Sequence, residues 1–362
     1  MKAPRVYIVI LNWNGWKDTI ECLESVFRLD HDNYRVIVCD NNSSDGSLEH
    51  IKAWAEGRLD VYLPQDSQLR HITFPPVSKA IPYHQYDKGE AESGGNRDDD
   101  CPLILIETGA NLGFAGGNNV GLRYVLARDS FDYIWLLNND TIVRLNSLST
   151  LVTKMIMHPN AGMCGSTLLY YHDPEETQAL GGGSYNKWLG TSQLFNCSIS
   201  RNAKYSCRHI EKKLNFICGA SMLVTKHFLE DIGLLVEDYF LYYEEIDWAL
   251  RAGTSYTLVY AERCVVYHKE GVSIGGSNWN KNYKSLVSDF YSIRNRIILA
   301  LKYHPYTLPT VYMCLILTAI RRVARGQWRR ILMIIKIGIA PQKYSVSNDR
   351  LIKIIAADRY PS

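Results

Sequence analysis

The first 150 residues repeat one pattern, and it limits the fold sharply: a short apolar run, a polar connection, then a stretch with apolar residues at helical spacing. Arg5 to Leu11 reads as a buried strand, and Trp16 to Leu29 as a helix with Ile20, Leu23, Val26 and Phe27 at helical intervals. Tyr34 to Cys39 is the next strand, followed by a polar loop and a helix from about Ser47. Leu103 to Ile106 is a third strand, Ala115 to Ala127 a helix and Tyr133 to Leu137 a fourth strand. Such alternation predicts an α/β fold, with a mostly parallel, Rossmann-like central sheet flanked by helices. Further strands are expected near Met163 to Tyr170, from Phe216 to Thr225, and from Thr257 to Tyr267, which ends at His268. From Pro64 to Pro102 the chain is polar and has no sustained period, so residues 64–102 read as a mobile insertion in a domain spanning residues 1–290.

Composition matters most at the other end. Between Asp289 and Asp349 there are ten Lys and Arg and no Asp or Glu, which leaves 30 basic against 37 acidic residues in the rest of the chain. Residues 291–362 therefore read as a basic, amphipathic helical extension on an acidic body. The aliphatic blocks Leu308 to Ile320 and Ile331 to Ala340 alternate with the basic clusters, which favours an anionic membrane surface over nucleic acid. Neither block is long enough to span a bilayer: a helix of the residues following Pro309 would be roughly 18 Å long against a core of about 30 Å. The nine cysteines are odd in number and contain no CxxC pair, and the N-terminus enters a strand directly without a signal-peptide core. The expected location is cytoplasmic and peripheral, at the inner face of the cell membrane, with self-association left open.

In an open parallel sheet, ligands bind beyond the carboxyl ends of the strands, and the unusual polar clusters fall there. The strands run into Asn12-Trp13-Asn14-Gly15, into Asp40-Asn41-Asn42-Ser43-Ser44-Asp45-Gly46 and into Asn138-Asn139-Asp140, while Asn111 to Asn119 follows the third. Asp40 needs a donor, supplied either by a nucleotide base or by a local Asx turn. The glycines at 113, 116 and 117 permit close approach of a diphosphate at a helix start. Asn138 and Asp140 can aim two oxygens at one divalent ion, or form an ordinary turn. Tyr242-Tyr243-Glu244-Glu245-Ile246-Asp247-Trp248 places three carboxylates beside large aromatics. One of these carboxylates could take a proton from an attacking hydroxyl while the rings stack on a sugar, or the acids could simply favour a helix N-terminus. His268 is a candidate third ligand.

Taken in order, these segments resemble the family 2 glycosyltransferases of the GT-A fold, especially the rhamnosyltransferase-like branch that builds bacterial surface polysaccharides. The likeness rests on Val9 to Gly15, Val38 to Ser47, Asn111 to Gly121, Trp135 to Thr141, Cys218-Gly219-Ala220, Phe240 to Arg251 and Ser292-Ile293-Arg294-Asn295. It implies an inverting, Mg2+- or Mn2+-dependent transfer from dTDP-rhamnose or a UDP-sugar to a hydroxyl of a glycan or lipid-linked glycan. Asn12, Asn14, Asp40, Asn42, Asn111, Gly113, Asn118, Asn139, Gly219 and Ala220 would hold the nucleotide sugar. Asn138, Asp140 and His268 would hold the metal, with Asn138 standing where the family's DxD motif more often has Asp. Glu245 would be the catalytic base, and Tyr243, Glu244 and Trp248 would lie on the acceptor side. Nucleotidyl transfer and nucleotide-sugar binding without turnover are the competing readings.

Overall fold

The computed structural model describes residues 3–59, 67–96, 100–195, 199–200, 206–269 and 285–343. Residues 64–66 and 97–99 of the expected insertion, Cys197, and residues 344–362 of the basic extension lie outside them. Among the described residues, fourteen strands form one sheet. In chain order they are β1 (Val6–Asn12), β2 (Tyr34–Asp40), β3 (Tyr83–Asp87), β4 (Leu103–Glu107), β5 (Tyr133–Asn138), β6 (Thr141–Val143), β7 (Ala161–Tyr170), β8 (Glu176–Leu180), β9 (Gly182–Asn186), β10 (Thr191–Leu194), β11 (Ile199–Ser200), β12 (Phe216–Ile217), β13 (Ser221–Thr225) and β14 (Thr257–His268).

The parallel core expected from the alternation is β5-β1-β2-β4, and β3 extends it in parallel at the edge beyond β4. Successive side chains of β1 enter opposite faces, as period two requires: Val6, Ile8 and Ile10 join one apolar layer, and Tyr7 and Val9 the other. Beyond β5 the sheet turns antiparallel through β13 and β7 to β8 and β9, where short connections allow hairpin-like pairing. The chain leaves β1 toward β2 and β4, then returns through the helix Gly113–Arg128 to β5 on the other side of β1. The strand order therefore reverses between β1 and β5, and the crevice at their carboxyl ends is where such a sheet binds ligands. Asn12 pairs with Asp40, and Leu11 with Asn138, at that edge.

The structure corrects two expectations about organisation. The insertion is folded over most of its described length: it supplies the parallel edge strand β3 and the helix Lys88–Glu92, whose N-terminus is closed by a reciprocal Asp87–Glu90 capping box. Leu69, Thr73, Ile81 and Ala91 are buried. Tyr-His-Gln-Tyr-Asp carries no apolar period because β3 is an edge strand in which no residue is fully buried.

The second correction concerns the boundary at residue 290, which falls inside the helix Leu286–Tyr303. That helix is integral to the core, and Asn295 on it is fully buried. Its Phe290, Ile293 and Ile297 pack with Phe240 and with Leu315, Ile334 and Ile337 of the helices Leu308–Ala324 and Trp328–Ile339. Asp289, buried, receives Arg322 at 3.0 Å and Arg330 at 2.6 Å, joining all three helices. Removing one partner from a buried ion cluster leaves uncompensated charge, so Asp289→Asn should lower the unfolding free energy by about 3–5 kcal/mol in urea titration. An unchanged midpoint would mean that the two arginines find water instead.

Candidate active site

The loop after β2 is closed on itself. Asp40 Oδ1 accepts the Asn12 amide at 2.7 Å and the Ser43 hydroxyl at 2.6 Å, and Oδ2 accepts the Ser43 backbone N–H at 3.0 Å. The Asx turn left open by the sequence is thus formed, and Oδ2 keeps a second lone pair for an external donor. Asn14, at φ 49°, donates its N–H to Ser43 Oγ at 2.9 Å and accepts Ser44 N–H at 2.7 Å. Asn42 stands beside it, exposed and left-handed at φ 60°. Asn12 and Asn14 therefore brace the Asp40–Ser44 loop.

Asn41, absent from the expected set, joins this loop to the next. Its amide donates to Asn111 Oδ1 at 3.0 Å and to Gly113 O at 3.2 Å, and its Oδ1 accepts Leu112 N–H at 3.0 Å. Gly113 has φ +72°, and a Cβ there would stand 2.4 Å from the carbonyl oxygen of Phe240. The N–H of Phe114 donates to that same oxygen at 2.6 Å. Only glycine fits, and the fit brings the glycine loop against the acidic segment. Two expected ligand contacts are corrected here. Asn118 is buried and bonds Phe114 O within its own helix at 2.9 Å. Asn139 is turned inward to Thr19 Oγ1 at 3.1 Å, bracing the end of β1.

Across the switch point, Asp140 Oδ1 and His268 Nε2 are 3.1 Å apart, both residues buried, with the Asn138 amide 3.4 Å from the same nitrogen. Gln178 Oε1 lies 2.9 Å from His268 Nδ1, and since an amide oxygen only accepts, Nδ1 carries its proton. A carboxylate facing Nε2 so closely needs positive charge between them, a proton or a metal ion. Neighbouring ligands of an octahedral ion with bonds of about 2.0–2.1 Å are themselves about 3 Å apart, so the pair fits a divalent cation. Beside this pair stands an amide rather than a third charged group: among the described residues no set of three His, Cys, Asp or Glu surrounds a common point. Burial pushes the Asp140 carboxyl up, but His268 and Lys269 outweigh it and hold it below its ordinary value. Lys269 is itself fixed by Asp18 and Glu21, each at 2.5 Å.

At the acidic segment, Phe240, Tyr242 and Tyr243 all have positive φ, at 61°, 68° and 76°, and they deliver Glu244 and Glu245 into the first turn of the helix Glu244–Ala252. One carboxylate oxygen of each glutamate is buried without a partner. Burial pushes Glu245 up to about 7; burial and the adjacent Glu245 hold Glu244 well above the usual range. Asp247 differs: burial raises it, but Lys302, Arg251 and Tyr303 outweigh burial and keep it ionised. Two acceptor-side expectations are corrected. Trp248 is fully buried, donating to Gly233 O at 2.8 Å and packing edge-on to Phe228, and Tyr243 is buried with its hydroxyl on Gly190 O at 2.8 Å. Both rings belong to the core and cannot stack on a sugar.

Gly219 and Ala220 close the gap between the two regions. A Cβ on Gly219 would stand 3.4 Å from the Phe114 ring, and Ala220 O accepts the Asn138 N–H at 3.0 Å. Contacts thus run unbroken from Glu245's turn through Phe240, Phe114 and Gly219 to Asn138. Gln178 gave no signal in the sequence because it lies far along the chain from the other site residues, whereas Asn295 belongs to the Ser292-Ile293-Arg294-Asn295 segment, which carried no assigned role. Gln178→Leu should weaken Mn2+ binding about 10–100-fold by calorimetry through loss of the His268 tautomer. Wild-type affinity in that variant would remove Gln178 from the role.

A family model described as glycosyl transferase family 2 matches residues 7–76. The low-salt glycan biosynthesis hexosyltransferase Agl10 of Haloferax volcanii is 28% identical over 150 residues, which are 41% of this chain and 46% of that protein. The aligned stretch thus spans less than half of that relative. Among solved structures, the mannosyltransferase PcManGT of Pyrobaculum calidifontis, in complex with GDP-Man and Mn2+, is 15% identical with a TM-score of 0.50, covering 94% of this chain and 88% of that one. GalNAc-T7 with UDP, GalNAc and Mn2+ is 13% identical with a TM-score of 0.50, over 81% and 47%. The two structures share the GT-A fold with this chain, and the family model matches the segment that carries β1, β2 and the Asp40 loop.

Proposed function

We propose that the protein transfers a sugar from a nucleotide diphosphate to an acceptor hydroxyl with inversion, using Glu245 as the base. The observation that carries this reading is the half-buried Glu245 side chain, whose Oε2 is buried without a partner, set by a left-handed turn beside the glycine loop. Asn111, Gly113 and the Asp40 loop would bind the nucleotide, with dTDP-rhamnose or a UDP-hexose as donor; Asp40 Oδ2 retains room for a base N–H. Asn138, Asp140 and His268 would hold Mg2+ or Mn2+, which when bound supplies positive charge to the departing diphosphate. Glu245 takes the proton of the acceptor hydroxyl, the oxygen forms its bond to the anomeric carbon, and the bond from that carbon to the diphosphate breaks with its electron pair on phosphate oxygen. A single displacement inverts the centre. GDP-Man, UDP and Mn2+ in the two fold relatives support the donor and metal classes.

A base acts when deprotonated, so kcat/KM should rise with pH through about 7 and level above it, following the raised Glu245. Glu245→Gln should abolish transfer, a loss on the order of 10²–10⁴-fold, while thermal-shift binding of the donor persists. Normal turnover by that variant, or a flat pH profile, would remove Glu245 as base.

The surface of the C-terminal helices supports a place at an anionic membrane. Met313, Ile316, Leu317 and Ile320 on one helix and Trp328, Leu332, Ile335 and Ile339 on the next recur at helical spacing and are more than half exposed. Arg321, Arg325, Arg329 and Lys336 stand exposed among them. The segment Pro305–Ala324 is long and apolar enough to cross a bilayer by length and composition alone. A helix lying in the interface, cations toward headgroups, accounts better for the basic residues. Ile316→Asp with Ile335→Asp should abolish co-flotation with phosphatidylglycerol vesicles and leave donor binding intact; undiminished flotation would sink the membrane assignment.

A further inference from the structure

A second concavity lies outside the site described. A groove of about 1050 Å³ runs beside the helix Glu244–Ala252, whose residues Ile246, Ala249 and Leu250 form part of its wall. Glu245 precedes Ala249 by one turn, so the catalytic carboxylate stands at the head of that face. Lys187, Arg208 and Lys212 line the rim, all exposed, and among the described residues no carboxylate pairs with any of them. The acid on the wall, Glu211, is already engaged by Lys154 at 2.8 Å and by Tyr260 N–H at 2.9 Å. The rim therefore presents three uncompensated positive charges.

At one end of the groove, Trp188 and Tyr306 face each other edge-on with ring centres 5.8 Å apart, and Lys187 Nζ lies 5.9 Å from both rings. Their exposures of 50% and 58% leave this aromatic pair open. Tyr306 lies two residues before the helix Leu308–Ala324 with its exposed aliphatic stripe, and Thr310 on that helix donates to Trp188 O. Cations, amphipathic rings and an aliphatic surface thus follow one another across the molecule. A soluble sugar or a free anion would use one of these features, whereas an amphiphile with a phosphate head would use all three.

We propose that this groove receives the phosphate head of a long-chain lipid phosphate that carries the acceptor. Lys187, Arg208 and Lys212 hold the phosphate, and the chain leaves past Trp188 and Tyr306 onto the aliphatic stripe. The acceptor role rests on the transfer reading above, while the binding itself can be measured without any turnover. The full chain would be titrated by calorimetry with phytanyl monophosphate in neutral detergent micelles, with phytanol and with inorganic phosphate. Wild type should prefer the phosphorylated lipid over the alcohol by about tenfold or more, and inorganic phosphate at equal concentration should not displace it. The triple variant Lys187→Ser, Arg208→Ser, Lys212→Ser should lose that preference, whereas the charge-keeping pair Arg208→Lys, Lys212→Arg should retain it. Thermal-shift binding of the donor should be unchanged in both. Equal affinity for lipid phosphate and alcohol in wild type, an undiminished preference in the triple variant, or full displacement by inorganic phosphate would each overturn the proposal. Loss of sugar transfer in every donor tested, with the lipid preference intact, would instead count against the transfer reading alone.

Discussion

The contact between the Phe240 carbonyl and Gly113 is the constraint on which the site depends. It joins the glycine loop to the segment that carries Glu245, and it exists only because Phe240 adopts a positive-φ conformation that places its oxygen 2.6 Å from Phe114 N. Left-handed Phe240, Tyr242 and Tyr243 each cost on the order of 1–3 kcal/mol, so the turn must be held from several sides at once. Asn295 Nδ2 lies 2.8, 2.8 and 2.9 Å from the carbonyl oxygens of Tyr239, Leu241 and Tyr242. Arg294 donates to Asp238 O at 2.7 Å, and Asp247, also bonded by Arg251 within its own helix, ties that helix to Lys302 and Tyr303. The helix Leu286–Tyr303 is thus the clamp that keeps Glu245 in place.

The electrostatics divide the site in the same way. At the switch point the carboxylates are satisfied: Asp40 by Asn12 and Ser43, and Asp140 by His268, with Lys269 nearby. At the head of the helix Glu244–Ala252 each glutamate keeps a buried, partnerless oxygen. Asp140 is therefore held toward its ionised form, suited to a cation, whereas Glu245 is pushed up to about 7, suited to moving a proton. Groups of one chemical type pushed in opposite directions by burial and partners are what a division of labour between charge stabilisation and proton transfer requires.

The parallel core and the strand ends were legible because each depends on local sequence: apolar runs, helical spacing, and the polar residues that terminate them. Asp40, Asn138, Asp140 and His268 could be read for the same reason, since each follows or ends a strand. The insertion was misread because β3 is an edge strand whose residues are only partly covered, so polar side chains serve as well as apolar ones and no period shows. Trp248 and Tyr243 were misread because an aromatic beside an acid looks the same in sequence whether its ring faces a ligand or the core. Their burial is decided by Phe228 and Gly190, which come from elsewhere in the fold. Gln178, Asn41 and Asn295 act through partners 90, 70 and 53–56 positions away, and no spacing rule reaches that far.

The same clamp has a consequence for how the enzyme would meet a surface. One side of the helix Leu286–Tyr303 holds the Phe240–Tyr243 turn through Asn295, while Asp289 near its start binds Arg322 and Arg330 of the two helices with exposed aliphatic stripes. Glu245 and those stripes are therefore linked through a single rigid element with ion pairs at one end and a hydrogen-bonded turn along its length. A flexible tether would let the catalytic domain sample many heights above a bilayer, whereas this linkage fixes one. On the proposed membrane orientation, reach would then be set by the acceptor. Hydroxyls too close to or too far from the lipid head would miss Glu245 even though their chemistry is identical, so chain geometry would select the site of transfer as much as sugar recognition does.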